Sequence, residues 1–386
     1  MECANSPTAP LLALKSDLFC DYDASALPQG HDANGTAVFV RLVLQFLQFW
    51  ESEDTLRLHV WMDFDWTDAR LSWDPASHSG LTSLTVDKHL LWFPDIMLYS
   101  SSRTEHSQPV PRNLSCTVRH GGNVSCTAQT VISGKCRADV RRWPFDAHRC
   151  SLSVGSQAHS HSEIQLQLPH EPILLYRFQQ SRQWHLVKIN ARRPSQGAEY
   201  SWLEYDVHLE RHAQGYFTVV VVPALALAAM TLLTLWVEPE CSERIIMSGL
   251  NIAGHVLFMQ YAMHLVPSNA DQPPLVFRFY LDSLVLAILT TVTSVVTYAL
   301  TTRKSALPTY LARCTQSFAG NIVGKFILPE EFKSKEDGAE EEIDEEQTRS
   351  KSNTPIEWRM LATMVDRMVF AMYVFIIVIL MHRFIV

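Results

Sequence analysis

Residues 136–150 read CRADVRRWPFDAHRC, so that Cys136 and Cys150 enclose 13 residues around a central Trp143-Pro144-Phe145-Asp146. A disulfide between the two cysteines would close a short loop, and closing a short loop costs little chain entropy. Pro144 fixes a turn and permits a cis peptide bond before it, and the aromatic residues that flank it form an apolar knob. Taken alone, the pattern is typical of a structural hairpin held by a disulfide.

Downstream of this loop, the chain contains four apolar segments of membrane-spanning length. Three of them contain no Asp, Glu, Lys or Arg, namely residues 216–237, 245–266 and 283–302. A fourth segment, 360–381, is apolar apart from Asp366 and Arg367. A bilayer core about 30 Å thick needs roughly 20 apolar residues of helix. We therefore predict four membrane-spanning helices, three close together and the fourth after a gap.

Residues 1–215 have a different pattern. Short runs rich in Val, Leu, Phe, Trp and Thr, such as 56–65 and 151–154, are separated by Pro, Gly, Asn and Asp. Runs of this kind between turn residues indicate strands of an all-β sandwich. The predicted fold is an extracellular β-sandwich followed by a four-helix transmembrane bundle.

Composition excludes several classes of protein. The chain has 32 Lys and Arg against 40 Asp and Glu, a net charge of −8, which argues against a nucleic-acid partner. Hydrophobic residues make up 47% of the chain, which excludes a disordered protein. No glycine-rich phosphate loop, zinc-ligand spacing or nucleophile elbow is present in the sequence. We expect neither enzymatic activity nor a cofactor or metal.

Cysteines and glycosylation sequons place the N-terminal part outside the cell. Six of eight cysteines precede the first apolar segment. The three sequons begin at Asn34, Asn113 and Asn123. Together these features favour an oxidising compartment. Cys116 and Cys126 flank a hairpin-turn composition and predict a cross-strand disulfide, whereas pairing of Cys3 with Cys20 stays open.

The same orientation places residues 303–359 inside the cell. Arg303 and Lys304 directly follow the third apolar segment, and positive residues favour the cytoplasmic side. Residues 336–346 form an acidic run that is typical of a solvated linker. Four spans then place both termini outside a multi-pass plasma-membrane protein.

The loop of residues 136–150, followed by four spans, closely resembles the Cys-loop pentameric ligand-gated ion channels. Residues 61–68, WMDFDWTD, are similar to the family's Trp-containing strand. Residues 92–99, WFPDIMLY, are similar to its Trp-x-Pro-Asp-Ile-x-Leu-Tyr segment. Pro223 lies in the first span, and Arg211 precedes it by 12 residues, as the family's pre-membrane arginine does. The branch resembles the nicotinic acetylcholine receptors.

The resemblance implies a domain organisation and a set of partners. The implied domains are an extracellular ligand-binding sandwich (1–213, after a short N-terminal segment), three transmembrane helices (214–302), a cytoplasmic loop (303–359) and a fourth transmembrane helix (360–386). The implied partners are four further like subunits, membrane lipid, and a small-molecule agonist that is an amine or an amphiphile. The implied coupling residues are Trp143, Pro144, Phe145 and Asp146 of the loop, with Arg211 and Pro267.

By the same resemblance, the second span lines a central pore. Helix periodicity places seven of its residues on one stripe: Glu243, Ile246, Leu250, Ala253, Leu257, Gln260 and His264. A ring of Glu243 side chains would attract cations, unless Glu243 folds back onto Arg244. Rings of Ile246 and Leu250 would be narrow and apolar and would gate by dewetting. We expect a ligand-gated cation channel subunit; the alternative is a non-conducting or accessory subunit of a heteromeric receptor.

The expected agonist site retains about half of the nicotinic aromatic cage, in which ring faces hold a quaternary ammonium. Trp61 matches the complementary-face Trp, and Tyr99 and Tyr200 match two principal-face tyrosines. Gln157 and Arg192 stand where that pattern has a Trp and a Tyr. The sequence therefore leaves open a different amine, a larger amphiphile or no agonist.

Overall fold

The computed structural model describes residues 9–28, 35–101, 110, 114–194, 199–266, 272–320 and 346–385. Four predicted features, Cys3, Asn34, Asn113 and Pro267, lie outside the described residues, as does most of the acidic run. The chain divides into two compact units. The first comprises Met1–Asp139 with Phe145–His212, and the second comprises Val140–Pro144 with Ala213–Val386.

The described part of the first unit contains one α-helix, α1 (Pro10–Phe19), three short 3-10 helices (Glu51–Glu53, Pro75–His78 and Lys88–Leu90) and two sheets. The strands are β1 (Thr36–Trp50), β2 (Thr55–Ser72), β3 (Ser83–Asp87), β4 (Ile96–Leu98), β5 (Ser115–Arg119), β6 (Gly121–Lys135), β7 (Ala147–Ser160), β8 (Ile164–Gln167), β9 (Ile173–Leu174), β10 (Trp184–Arg192) and β11 (Tyr200–Arg211). The seven-stranded sheet has the order β3-β5-β6-β2-β1-β8, with β9 also paired to β1. The four-stranded sheet has the order β10-β11-β7-β4. The predicted β-sandwich is confirmed.

The core of this unit lies between the sheets because successive side chains of a strand point to opposite faces. In β2, Leu58, Val60 and Met62 are buried, and the residues between them are partly exposed. Leu203 and Val207 of β11 join the same apolar cluster from the other sheet. Each fully buried side chain of this size contributes about 1.5–3 kcal/mol of transfer free energy.

Both predicted disulfides are formed. Cys116 and Cys126 lie directly opposite each other in β5 and β6, with their Cα atoms 4.3 Å apart. Cys136 and Cys150 close the loop, with their Cα atoms 5.1 Å apart. Cys20 is also disulfide-bonded. Trp143 and Pro144 are joined by a cis peptide bond, as the sequence allowed.

The second unit consists of helices. They are α2 (Gln214–Tyr216) continued by a π-helical turn (Phe217–Val221) and α3 (Val222–Thr234), then α4 (Glu243–Leu265), α5 (Leu275–Thr301), α6 (Thr309–Gly320) and α7 (Glu346–Ile385). Four segments are long and apolar enough to cross a membrane: Gln214–Thr234, Glu243–Leu265, Leu275–Thr301 and Ile356–Arg383. The four predicted spans are confirmed.

The observed helix boundaries differ from the predicted ones. Helix α5 begins eight residues before the predicted 283, because counting only charge-free residues stopped at Asp282, whose side chain is exposed. Helix α6 lies within the segment 303–359, in a stretch for which we predicted no helix, whereas residues 349–359 were expected to begin a helix that continues into the fourth span. Helix α7 is continuous from Glu346, so residue 360 marks no break in the structure.

Polar side chains connect the membrane helices. The Asn251 amide of α4 donates to the Thr231 hydroxyl of α3 over 2.8 Å. His255, one turn further along α4, lies 3.1 Å from the Ser283 hydroxyl of α5. Such contacts are worth about 1 kcal/mol each in a bilayer, and they turn this face of α4 towards its neighbours.

Candidate ligand site and pore face

Arg211, at the end of β11, forms a buried ion-pair network with the 136–150 loop. Its guanidinium donates to both carboxylate oxygens of Asp146 over 2.6 and 2.8 Å and to Glu51 over 2.9 Å. The guanidinium also lies 4.3 Å from the centre of the Trp184 ring. Burial alone would raise the pKa of Asp146, but hydrogen bonds from Arg211 and His148 outweigh it and lower that pKa. Asp146 is therefore held as a carboxylate.

The tip of the loop belongs to the helical unit. The Trp143 ring is buried and meets the Tyr216 ring edge-on, at 5.2 Å between centroids. The backbone N–H of Leu275, at the start of α5, donates to the carbonyl oxygen of Arg141 over 3.0 Å. The predicted coupling residues are thus divided: Trp143 and Pro144 lie in the helical unit, and Phe145, Asp146 and Arg211 lie in the sandwich.

Tyr99 lies directly after β4, and its position is fixed by close packing. Its hydroxyl donates to the carbonyl oxygen of Ser156, and a Cβ atom placed on Gly155 would lie 2.5 Å from that hydroxyl. Only glycine fits at this close approach. Burial, together with the charge of Asp95 and the nearby Tyr200, raises the pKa of Tyr99. The two tyrosines remain 46% and 39% exposed.

Asp95 holds the segment that contains Gln157. Its carboxylate accepts hydrogen bonds from the backbone N–H groups of Gln157 and Ala158, at 3.0 and 2.6 Å, and from the Ser156 hydroxyl at 2.6 Å. His159 contributes a ring nitrogen at 2.9 Å. Burial would raise the pKa of Asp95, but these bonds lower it. These hydrogen bonds therefore fix the backbone at Gln157. The nicotinic pattern has a Trp at this position, so the side chain here is an amide in place of an aromatic ring.

Arg192 is neutralised within its own sheet. Its guanidinium lies 3.2 Å from the Glu204 carboxylate and 3.1 Å from the Asp206 carboxylate, both on the adjacent strand β11. Its side chain is 60% exposed. Arg192 joins the stem of the β10–β11 hairpin and adds no uncompensated positive charge beside Tyr200.

Trp61 already carries a cation on its ring. The Arg177 guanidinium lies 4.3 Å from the centre of the Trp61 ring, within the range of cation–π attraction. The sequence analysis missed Arg177. No sequence signal connects a loop residue to a strand 116 positions earlier, because the pairing of β9 and of Gln179 with β1 returns the chain to this face.

The predicted ligand residues lie on opposite sheets of one sandwich. Tyr99, Gln157, Arg192 and Tyr200 belong to strands of the four-stranded sheet or directly follow one. Trp61 lies in β2 of the seven-stranded sheet. One chain therefore presents the two halves of the predicted site on different surfaces.

Helix α4 has one exposed face and one buried face. All seven residues of the predicted stripe are exposed, with Leu257 at 69%, Ile246 at 64% and Leu250 at 63%. The buried residues of the helix are Arg244, Ser248, Asn251, His255 and Ala262. The stripe thus lies within the face that the other helices of the chain leave uncovered.

Arg244 pairs with Asp366 rather than with Glu243. Two guanidinium nitrogens of Arg244 donate to the two carboxylate oxygens of Asp366 over 2.6 and 2.7 Å, and both side chains are almost fully buried. Among the described residues, no cation pairs with Glu243, which is exposed. The alternative in which Glu243 folds back onto Arg244 is therefore wrong for this structure. The Asp366/Arg367 pair was visible in the sequence, and a charge inside an apolar span is a functional signal.

The connection between α3 and α4 is also tied to α7. Arg359 lies 3.6 Å from the Glu238 carboxylate and 3.3 Å from the Glu240 carboxylate. Arg367 stacks over the Trp236 ring at 3.6 Å. Glu243 is thus the acidic residue of this end of α4 that lacks a basic partner among the described residues.

Asn123 is the predicted glycosylation residue that the structure describes. It lies at the start of β6 and is exposed, and its side-chain oxygen accepts a hydrogen bond from the Thr67 hydroxyl over 3.0 Å. Its surface position is compatible with the attachment of a sugar.

A sandwich with this loop, joined to four apolar helices, defines a class of membrane receptor. Residues 12–213 match the family model of the neurotransmitter-gated ion-channel ligand binding domain. Since the match covers more than half of the chain, the chain belongs to the neurotransmitter-gated ion-channel family, whose members are receptors and not enzymes.

Nicotinic acetylcholine receptor subunits are among the curated proteins similar to this chain. The rat neuronal acetylcholine receptor subunit alpha-10 is 25% identical over 75% of this chain and 66% of its own length. The rat subunit beta-4 is 24% identical over 67% of this chain and 53% of its own length. The human subunit alpha-4 is 25% identical over 78% of this chain and 49% of its own length. The chain thus spans about half to two thirds of the length of these relatives.

Proposed function

We propose that this chain is a subunit of a cation-selective, ligand-gated ion channel of the plasma membrane. Five like subunits surround a pore lined by α4, and both chain termini are extracellular. The observation that carries the proposal is the uncovered face of α4, which presents Glu243 in line with Ile246, Leu250 and Leu257. Because Asp366 neutralises Arg244, a ring of Glu243 side chains is anionic and attracts cations.

The gate in this proposal is the pair of apolar rings formed by Ile246 and Leu250. Both residues lie close to Glu243 along the helix, so the constriction is near the end that carries the acidic ring. Apolar constrictions exclude water and block ions without a physical plug. Leu250→Ser is expected to increase leak current; an unchanged leak and an unchanged response to agonist would place the gate elsewhere.

Agonist binds, in this proposal, between neighbouring subunits. The support is the division of the candidate ligand residues: Tyr99 and Tyr200 belong to one sheet and Trp61 belongs to the other. Packing two subunits side by side brings opposite sheets of different chains together. Since Arg177 covers the Trp61 ring, an amine agonist has to displace that guanidinium.

The test of cation selectivity is a reversal-potential measurement on cells that express the chain alone, in sodium chloride gradients and under a panel of amines. The wild type is expected to follow the sodium gradient, and Glu243→Gln is expected to move the reversal potential towards that of chloride. The matched control is Glu240→Gln, which removes the same charge from a residue already paired with Arg359. A Glu243→Gln channel that is as cation-selective as the wild type would contradict the role of this ring.

A second function is favoured by one specific observation. The aromatic cage lacks a ring at Gln157, and Arg177 occupies the ring of Trp61, which fits an accessory subunit that shapes a heteromer. Absence of current from the chain alone, with current restored by co-expression of a nicotinic subunit, would favour this accessory role.

A further inference from the structure

A groove with a volume of about 810 Å³ crosses one face of the seven-stranded sheet. Residues of β1, β2 and β6 form its walls, together with Arg119 at the end of β5. No candidate ligand or pore residue is among the described residues that line it. The groove belongs to the first compact unit, and the proposed gating does not use it.

The strand register explains the shape of the groove. Phe39 of β1 pairs with Asp65 of β2, and Asp65 pairs in turn with Ser125 of β6. Two residues further along the same face, Thr67 pairs with Asn123. Because successive side chains of a strand alternate between the faces of a sheet, all five point away from the core, and their neighbours along each strand are buried. The short side chains on β2 and β6 leave a hollow beside the Phe39 ring.

Asn123 lines this hollow and begins the sequon Asn-Val-Ser. Its side-chain oxygen accepts the hydrogen bond from the Thr67 hydroxyl over 3.0 Å. The amide nitrogen of Asn123 therefore points away from Thr67, and among the described residues it has no hydrogen-bond partner. That nitrogen is the atom to which an N-linked sugar is attached. The acceptor atom is thus held in position and is accessible from the groove.

The lining of the groove offers the two kinds of contact that a sugar ring makes. The Phe39 ring is 40% exposed, and an aromatic face packs against the apolar C–H face of a pyranose. Asp65 and Arg119 also line the groove, and neither forms an ion pair within the described parts of the chain. Hydrogen bonds to charged groups are stronger than those between neutral groups, so these two side chains suit sugar hydroxyl and acetamido groups.

The dimensions of the groove also fit a sugar attached at Asn123. One strand, β2, separates β6 from β1 in the sheet. Since neighbouring strands lie about 4.8 Å apart, β6 and β1 are about 10 Å apart, which two linked sugar rings can span. The volume falls within the range of about 300–1,000 Å³ that is typical of ligand sites. A sugar on Asn123 can therefore reach the Phe39 ring without leaving the groove.

We propose that Asn123 carries an N-linked glycan whose first two sugars lie in this groove. In the attachment, Nδ2 of Asn123 forms a bond to the anomeric carbon of an oligosaccharide that is linked to a lipid diphosphate. The bond between that carbon and the diphosphate oxygen breaks, Nδ2 loses one proton, and the lipid diphosphate leaves. The seated sugars pack against Phe39 and connect β6 to β1 across β2, so the glycan becomes part of the packing of the sheet.

The test measures how quickly a peptide N-glycanase removes the sugar at each sequon of the folded full chain, produced in eukaryotic cells. Removal converts the asparagine to aspartate, which site-resolved mass spectrometry detects. The Asn123 glycan is expected to be released about fivefold faster from Phe39→Ala than from the wild type, because the ring contact is lost. The control is Trp50→Ala, which removes a ring of similar exposure, 42%, from the other end of β1. This control is expected to leave the release rate unchanged.

Three results would overturn the proposal. They are an Asn123 that carries no glycan, equal release rates from the wild type and Phe39→Ala, and an equal acceleration in Trp50→Ala, which would indicate a general loosening of the sandwich. Slow release at Asn34 or Asn113 in place of Asn123 would also overturn it, because the groove would then hold a sugar chain from another sequon.

A second variant keeps the test valid if Phe39→Ala does not fold. Arg119→Gln changes an exposed side chain at a strand end and is also expected to speed the release of the Asn123 glycan. Unchanged release from Arg119→Gln would then contradict the proposal. Since the measurement needs no current, a failure of the channel proposal leaves its result interpretable.

Discussion

Each unit of this chain buries one arginine against one aspartate, and the two pairs differ in their surroundings. Arg211 in the sandwich has a second carboxylate, Glu51, and an aromatic ring, Trp184, in addition to Asp146. Arg244 in the helical unit has Asp366, and its Nε atom has no hydrogen-bond partner among the described residues. The sandwich pair is therefore supported by several contacts, whereas the helical pair depends on one partner.

This difference in the number of partners determines what happens when one aspartate is substituted. The arginine that remains is left without a compensating charge in the helical unit but not in the sandwich. Removing one partner of a buried pair costs about 3–5 kcal/mol when nothing replaces it, because the remaining charge stays buried. A network with a second carboxylate retains part of the compensation. Each aspartate accepts two hydrogen bonds from its arginine. Losing them is therefore expected to destabilise the helical unit more than the sandwich.

The largest effect is expected for Asp366→Ala. The unpaired Arg244 should destabilise the helical unit by about 3–5 kcal/mol, seen as a lower melting temperature of the full chain in detergent. Arg244→Met combined with Asp366→Leu should recover most of the loss, because no buried charge then remains. A double variant as unstable as the single one would show that the ion pair itself is required. The control is Arg359→Gln, whose exposed pairs with acidic residues are worth under about 1 kcal/mol.

A smaller loss is expected for Asp146→Asn. Glu51 still neutralises Arg211 in this variant, so the cost should be about 1–3 kcal/mol, the value of an impaired charged hydrogen bond. Adding Glu51→Gln should cost more than the sum of the two single variants, because Arg211 then loses both of the carboxylates described here. Strictly additive effects in this cycle would mean that the two carboxylates do not compensate for each other.

The sandwich pair also predicts a pH dependence. Since the folded-state pKa of Asp146 is lowered from its ordinary value of 3.8, its contribution to stability is complete above about pH 5 and is lost as the pH falls through the lowered pKa. The difference in melting temperature between wild type and Asp146→Asn should be constant from pH 7 to 5 and shrink below about pH 4. If this difference in melting temperature grew as the pH fell, the pKa of Asp146 would be raised by folding, which would contradict the lowered pKa given above.

The smallest expected effect concerns Arg177, an exposed cation that stacks on a ring. Arg177→Ala uncovers the Trp61 face and should increase the affinity for a quaternary amine by about two- to fivefold, measured by direct binding of a labelled amine or by agonist concentration–response. The control is Arg182→Ala, an exposed arginine of the same segment that makes no ring contact among the described residues. Weaker amine binding in Arg177→Ala would mean that the guanidinium supports the ligand instead of competing with it.

Local pattern was sufficient for much of the fold. Alternation in β2, charge-free runs in the spans and the 136–150 loop are properties of adjacent residues, so the sandwich, the four spans and both described disulfides were predictable. Helical periodicity grouped seven residues of α4 on one stripe, and the resemblance to the channel family selected that stripe as the uncovered one. The start of α5 was misplaced because charged residues at a helix end can face solvent, which a count of charges does not register.

Contacts between distant residues were decided only by the tertiary structure. The choice of Asp366 over Glu243 as the partner of Arg244 depends on α7 packing beside α4, across 122 positions of sequence. The stacking of Arg177 on Trp61 depends on β9 joining β1. A pocket lined by Arg141, Arg278 and Arg383 brings together the loop tip and the ends of α5 and α7. The sequence by itself determined the sandwich strands and the four spans, since these follow from neighbours along the chain. Which charges are neutralised depends on packing, and the structure alone decided it.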